Sequence, residues 1–158
     1  MPRSDEAHLA RALELAEQHS RDGRHGPFGA VVTRRETVVA EGWNRVVASC
    51  DPSAHAEVVA LRNAGRNLGT HALEDCTLFS SCEPCPMCLA AAYWARIDRL
   101  VFACSAEDAA RAGFDDRKIL DEIRRDRDRR SMPWRQIGRE AGLRVFEAWL
   151  HNPERIPY

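Results

Sequence analysis

Between Ser4 and Arg21 the apolar residues Leu9, Ala12, Leu13 and Ala16 recur at helical spacing within an otherwise charged segment. The pattern predicts an amphipathic helix with Ser4 as N-cap and Asp5 and Glu6 in its first turn, where carboxylates favour the helix dipole. Asp22-Gly23-Arg24-His25-Gly26-Pro27 breaks it. Phe28-Gly29-Ala30-Val31-Val32 and Val38-Val39-Ala40 read as two strands, joined over Thr33 to Thr37 by a hairpin. A loop from Gly42 to Pro52 carries Trp43 and Asn44. The next helix, capped by Asp51 or Ser53, runs to about Asn67 and holds His55 and Glu57 in its first turn.

Thr77-Leu78-Phe79-Ser80 reads as a third strand and Leu100-Val101-Phe102-Ala103 as a fourth. Between them, Met87 to Ala95 is rich in helix formers. Two strands joined by one helix predict a right-handed crossover and parallel pairing. Leu143-Arg144-Val145-Phe146 fits either a fifth strand or the start of a terminal helix. The expected class is α/β, a mixed sheet with helices on both faces, in one domain spanning the 158 residues.

Composition narrows the partners. Charges nearly cancel, to a formal −1, which gives no general pull toward nucleic acid or anionic membrane. The run Arg124 to Arg130 alternates in sign and reads as a solvated, salt-bridged face. The N-terminus lacks the apolar core of a secretory signal, and no apolar run approaches the ~20 residues of a membrane span. A soluble, cytoplasmic protein is expected. Of the six cysteines, Cys85 and Cys88 form a metal-type pair. Cys50, Cys76, Cys82 and Cys104 lack a disulfide rhythm and are expected to be buried filler, with Cys82 lying near enough to the pair to offer a further metal ligand.

His55, Cys85 and Cys88 supply one imidazole and two thiolates, a set that suits tetrahedral Zn2+ with one position left for water. The two cysteines lie at a helix start, where the dipole favours thiolate, and Pro84 and Pro86 stiffen their loop. Zinc lowers the pKa of such a water toward ~7. Glu57, two residues past the histidine, is placed to carry its proton without ligating the metal. Alone, His-x-Glu is weak and Cys-x-x-Cys ambiguous; together they form the H-x-E…P-C-x-x-C arrangement of zinc-dependent base deaminases.

On these residues the chain resembles the cytidine deaminase superfamily, and within it the bacterial guanine deaminase branch. The similarity runs through Gly26-Pro27-Phe28-Gly29-Ala30-Val31, Asn44, Asp51-Pro52-Ser53-Ala54-His55-Ala56-Glu57 and Ser81-Cys82-Glu83-Pro84-Cys85-Pro86-Met87-Cys88. It continues through Ala92-Tyr93-Trp94-Ala95-Arg96 and Ala112-Gly113-Phe114-Asp115-Asp116 to the terminal Tyr158. The resemblance implies a three-layer α/β/α fold around a five-stranded sheet, and a homodimer with a swapped C-terminal segment. It implies a purine pocket in which Asn44 bonds the base, Phe28 and Trp94 flank its ring, and Ala54 and Asp116 make further contacts. Tyr158 would close that pocket, with residues 151–158 as its lid.

The implied reaction is hydrolysis of guanine to xanthine and ammonia. The alternatives are a deaminase of guanosine, another aminopurine or an aminotriazine; a deaminase of adenosine in tRNA, disfavoured by the charge balance; and a zinc-stabilised binding module, in which Cys82 would close the coordination sphere.

Overall fold

The computed structural model describes residues 5–158; the N-cap expected at Ser4 lies outside them. The chain divides into two compact units, residues 1–117 and 118–158.

In the first unit, α1 spans Asp5–Ser20, β1 Gly29–Arg34 and β2 Thr37–Trp43. A short α2, Val46–Ser49, leads to α3, Ala56–Leu68, and β3, Cys76–Cys82. Then come α4, Pro86–Trp94, β4, Arg99–Cys104, and α5, Ala106–Arg111. The strands form one sheet in the order β2-β1-β3-β4. β1 pairs antiparallel with both β2 and β3, and β3 pairs parallel with β4, as the β3-α4-β4 pattern predicts.

Side chains alternate across this sheet and build a core on each face. Ala30, Val32 and Leu78 pack with Ala56, Ala60, Ala64 and Ala92 from α3 and α4. Val31 and Phe79 pack with Ala12 and Leu15 from α1. The result is three layers, helix on sheet on helix. β1 and β3 are buried on both faces because they are the interior strands.

Several elements differ from the expectations of pattern alone. The face that α1 buries is His8, Ala12, Leu15 and Ala16, rotated so that Leu13 is exposed. The hairpin is tighter than expected: only Arg35 and Glu36 connect β1 to β2, with φ of 47° and 68°. Positive φ at both central residues matches the right-handed twist of flanking strands, the reason primed turns dominate two-residue hairpins. Trp43 belongs to β2 and not to the loop.

Gly42 in β2 allows α3 to lie directly on the sheet. A Cβ there would stand 2.4 Å from the Ala56 carbonyl oxygen and 2.5 Å from the Ala60 nitrogen. A bidentate pair also joins α1 to β2: Arg11 Nε donates to Glu41 Oε1 at 2.7 Å and Arg11 Nη2 to Oε2 at 2.9 Å.

The second unit contains α6, Arg117–Arg124, whose first residue belongs to the preceding unit, a 3₁₀ turn at Arg127–Arg129, and α7, Arg139–His151. Residues 143–146 lie inside α7, so the sheet has four strands among the described residues and not five. Four apolar-flanked positions are too few to separate a strand from a helix by period.

Two of the scattered cysteines are not buried filler. Cys50 and Cys104 are exposed, while Cys76 and Cys82 are buried. Cys50 ends α2 in a left-handed conformation, and Cys104 closes the edge strand β4. Among the described residues no helix is long and apolar enough to cross a membrane.

Candidate metal centre and pocket

Two helix starts converge on one point. His55 is the N-cap of α3 and Cys85 the N-cap of α4; both have extended backbones, and neither caps its helix with its side chain. This corrects the expected capping of α3: Asp51 and Ser53 instead form a local turn, in which Ser53 N and Oγ donate to Asp51 Oδ1 at 2.8 and 2.7 Å. Pro86 takes the first helical position of α4, where its fixed φ fits and no N–H is needed. Cys88 then falls one turn into α4, on the side of Cys85.

The side chains of His55, Cys85 and Cys88 form a near-equilateral triangle. His55 Nδ1 lies 3.5 Å from each sulfur, and the two sulfurs are 3.5 Å apart. Zn–S bonds of about 2.3 Å and Zn–N bonds of about 2.0–2.1 Å at tetrahedral angles require donor separations of roughly 3.5–3.8 Å. The triangle fits zinc, and among the described residues it is the cluster of His, Cys and acidic groups able to hold a metal. Cys82 is not part of it. Its thiol donates to the Ser105 carbonyl at 3.5 Å, and burial pushes it up to about 11.

Protons bind the triangle together. A hydrogen bond joins the Cys85 and Cys88 sulfurs, and this bond, assisted by His55, holds Cys85 down at about 4. The same bond holds Cys88 well above an ordinary thiol, and contact with Cys85 raises His55. A cation takes the place of such shared protons on binding.

Glu57, in the first turn of α3, is 5% exposed and lies beside the triangle. Ser80 Oγ donates to its Oε1 at 3.0 Å, and the Cys88 thiol to its Oε2 at 3.4 Å. Burial raises its carboxyl above the usual range, against the pull of these bonds. A buried carboxyl raised above its ordinary range and set beside the metal site is placed for general acid/base work. Ser80 was not foreseen. A polar residue in the buried run of β3 is the signal that marks it.

The predicted pocket residues are tied to this centre by backbone bonds. Asn44 N donates to the Phe28 carbonyl at 3.0 Å, and Arg45 N to the Ala54 carbonyl at 2.9 Å. Asn44 Oδ1 accepts from Gly26 N and Val46 N, each at 3.3 Å, leaving its amide N–H groups for other partners. Glycine at position 26 gives this approach its room, since a Cβ there would stand 3.0 Å from Asn44 Cγ.

Phe28 meets the Phe114 ring edge-on, centroids 4.9 Å apart, which adds Phe114 to the expected set. Asp116 lies close enough to raise His55, and burial lifts its own carboxyl. Trp94, at the end of α4, is 72% exposed. Tyr158 is in the second unit and also exposed.

Comparison with known proteins agrees with this chemistry. Residues 2–104 match the cytidine and deoxycytidylate deaminase zinc-binding region. The chain is 47% identical to the guanine deaminase of Bacillus subtilis (strain 168), across 97% of this chain and 98% of that one. It is 40% identical to a tRNA-specific adenosine deaminase of Haemophilus influenzae, across 73% of this chain and 69% of the relative. The X-ray structure of guanine deaminase from Bacillus subtilis superposes with a TM-score of 0.95 at 44% identity, covering 99% of both chains. A family model over most of the chain, and a triangle of donors sized for zinc beside a buried glutamate, have one common explanation: the chain belongs to the cytidine and deoxycytidylate deaminase family.

Proposed function

We propose that the chain is a zinc-dependent aminohydrolase that converts guanine and water to xanthine and ammonia. One observation carries the proposal: Glu57 is buried beside the His55, Cys85 and Cys88 triangle without belonging to it. That layout separates metal binding from proton transfer, as hydrolytic deamination requires.

His55, Cys85 and Cys88 would hold the zinc, which when bound lowers the pKa of a coordinated water and supplies a nucleophile at neutral pH. Glu57 accepts the proton of the water that attacks C2 and passes it to the adjacent ring nitrogen. It then takes the remaining hydroxyl proton and delivers it to the departing amine, so that ammonia leaves and a carbonyl remains. Asn44 bonds the purine through its free amide, with Phe28 against the ring and Ala54 and Trp94 as further walls. The Asp116 carboxylate accepts from N–H donors, of which a guanine edge offers more than an adenine edge. The near-full-length likeness to a guanine deaminase, against partial coverage of the tRNA deaminases, supports a free base as substrate.

The functional unit we propose is a homodimer in which the C-terminal segment of one copy closes the site of the other, with Tyr158 and residues 151–158 as the lid. Exposed apolar side chains on α4 and β4, among them Leu89, Tyr93 and Phe102, support a partner surface. The free cysteines favour the cytoplasm.

An ammonia-release assay over a panel of bases and nucleosides tests the proposal. Zinc-replete protein should turn over guanine in preference to guanosine, adenine, cytosine and cytidine. Negligible turnover of guanine rejects it, and preference for guanosine or an aminotriazine reassigns the substrate while keeping the chemistry.

A further inference from the structure

The second unit carries a feature that deamination does not use. A cavity of about 470 Å³ lies within it, lined by Arg127, Asp128, Arg130, Trp134, Arg135 and Gln136 among others. Small-molecule pockets span about 300–1,000 Å³.

Its charge is not balanced locally. The neighbouring arginines are paired, Arg125 with Glu122 at 2.7 Å and Arg129 with Asp126 at 3.9 Å, as an alternating charge run should be. Arg127, Arg130 and Arg135 have no carboxylate partner among the described residues. Three arginines therefore line the cavity against the single aspartate, Asp128.

Arg130 is held in place without being satisfied. Its guanidinium carbon sits 4.8 Å from the centroid of the Trp134 ring, and its Nη2 donates to the Ile123 carbonyl at 3.3 Å. Its Nε is buried and has no hydrogen-bond partner. The protein covers that atom, so an anionic ligand would be met by the other N–H groups of the guanidinium, where charge-assisted bonds are strong. Trp134 meanwhile offers an indole, the best side-chain surface for stacking a planar ring.

We propose that this pocket binds a purine nucleoside 5′-phosphate, apart from the deamination site. The base stacks on Trp134, with Asp128 and Gln136 available to its polar edge. The phosphate takes donors from Arg127, Arg130 and Arg135, whose planar forks suit its oxygens. One aromatic platform in one cavity fits a mononucleotide better than a polymer, and the formal charge of −1 gives no general affinity for RNA. The inference does not depend on the substrate of the zinc centre.

The test is calorimetric titration of GMP into the full-length, zinc-loaded protein at low ionic strength. Saturable binding is expected, weakened at least tenfold by Trp134→Leu and by Arg130→Met, with guanosine and inorganic phosphate each binding at least tenfold more weakly than GMP. Should either variant fail to fold by circular dichroism, the Arg127→Met/Arg135→Met double variant must show the same loss. GMP should not compete with guanine in the ammonia assay. Absence of saturable binding, equal affinity in the folded variants, or inorganic phosphate matching GMP overturns the proposal. So does competition with guanine, which would place GMP in the zinc site, and so does tighter binding of a short single-stranded RNA than of GMP.

Discussion

Ser80 Oγ, on the central strand β3, donates to Glu57 Oε1 on α3 at 3.0 Å. Both groups are buried, so the bond orients the carboxylate at the site where water cannot. A hydrogen bond to a charged group contributes about 1.5–3 kcal/mol. Ser80→Ala should therefore lower kcat roughly 10–100-fold with little change in KM or zinc content, and Ser80→Thr should recover part of the rate. Unchanged kcat in the alanine variant would remove Ser80 from the machinery.

Metal binding and proton transfer should separate cleanly. Glu57→Gln is expected to keep its zinc and lose ~10²–10⁴ of the rate. Cys85→Ala or Cys88→Ala should lose zinc, as measured by elemental analysis. A chelator should lower the melting temperature of the native protein, because zinc bound only by the folded state stabilises it. It should leave that of the cysteine variants unmoved. Full zinc in both cysteine variants would refute the ligand assignment.

Gly42→Ala tests the contact between β2 and α3. The added methyl would meet the Ala56 and Ala60 backbone at 2.4–2.5 Å, and backbone cannot rotate aside. Overpacking of this kind costs about 1–3 kcal/mol, readable as a lower urea midpoint. Because α3 begins at His55, zinc affinity should fall as well. Native stability in this variant would mean the layers separate easily.

His19 makes stability depend on pH. Its ring stacks on Trp43, centroids 3.8 Å apart and 4° from parallel. Burial lowers its pKa, with His25 and Arg11 adding to the shift and Asp22 opposing it. The unfolded chain thus binds this proton more tightly. The contribution is present above the ordinary histidine pKa of about 6.5, and is lost as pH falls through the lower folded value. His19→Gln should flatten the slope of unfolding free energy below pH ~6.5. An identical slope in the variant would assign that dependence to other groups.

The tail can be tested by deletion. Pro153 and Pro157 prevent α7 from continuing, and the chain ends in exposed Ile156 and Tyr158. Removing Pro153 through Tyr158 should raise KM or cut kcat by about tenfold or more, with zinc content unchanged, if these residues form a lid. Unaltered kinetics would make the segment a solvated terminus.

The sequence by itself determined whatever is local. Cys85 and Cys88 are three residues apart, so spacing alone puts them on one side of a helix start, while His55 and Glu57, two apart, are close in the chain but owe their directions to the extended backbone at His55. The strands β1, β3 and β4 were legible because each is a short apolar run between turn signals, and the parallel pairing followed from the helix between β3 and β4. Tertiary structure alone decided what crosses between segments. It brought His55 within 3.5 Å of both sulfurs, Ser80 against Glu57, and the Phe114 ring against Phe28. It also settled the ambiguities that local pattern leaves open: residues 143–146 are helical, Leu13 faces out and Arg35-Glu36 adopts a left-handed turn. Each depends on which partner surface a segment meets, and packing outweighs the few tenths of a kcal/mol per residue that separate ordinary helix propensities.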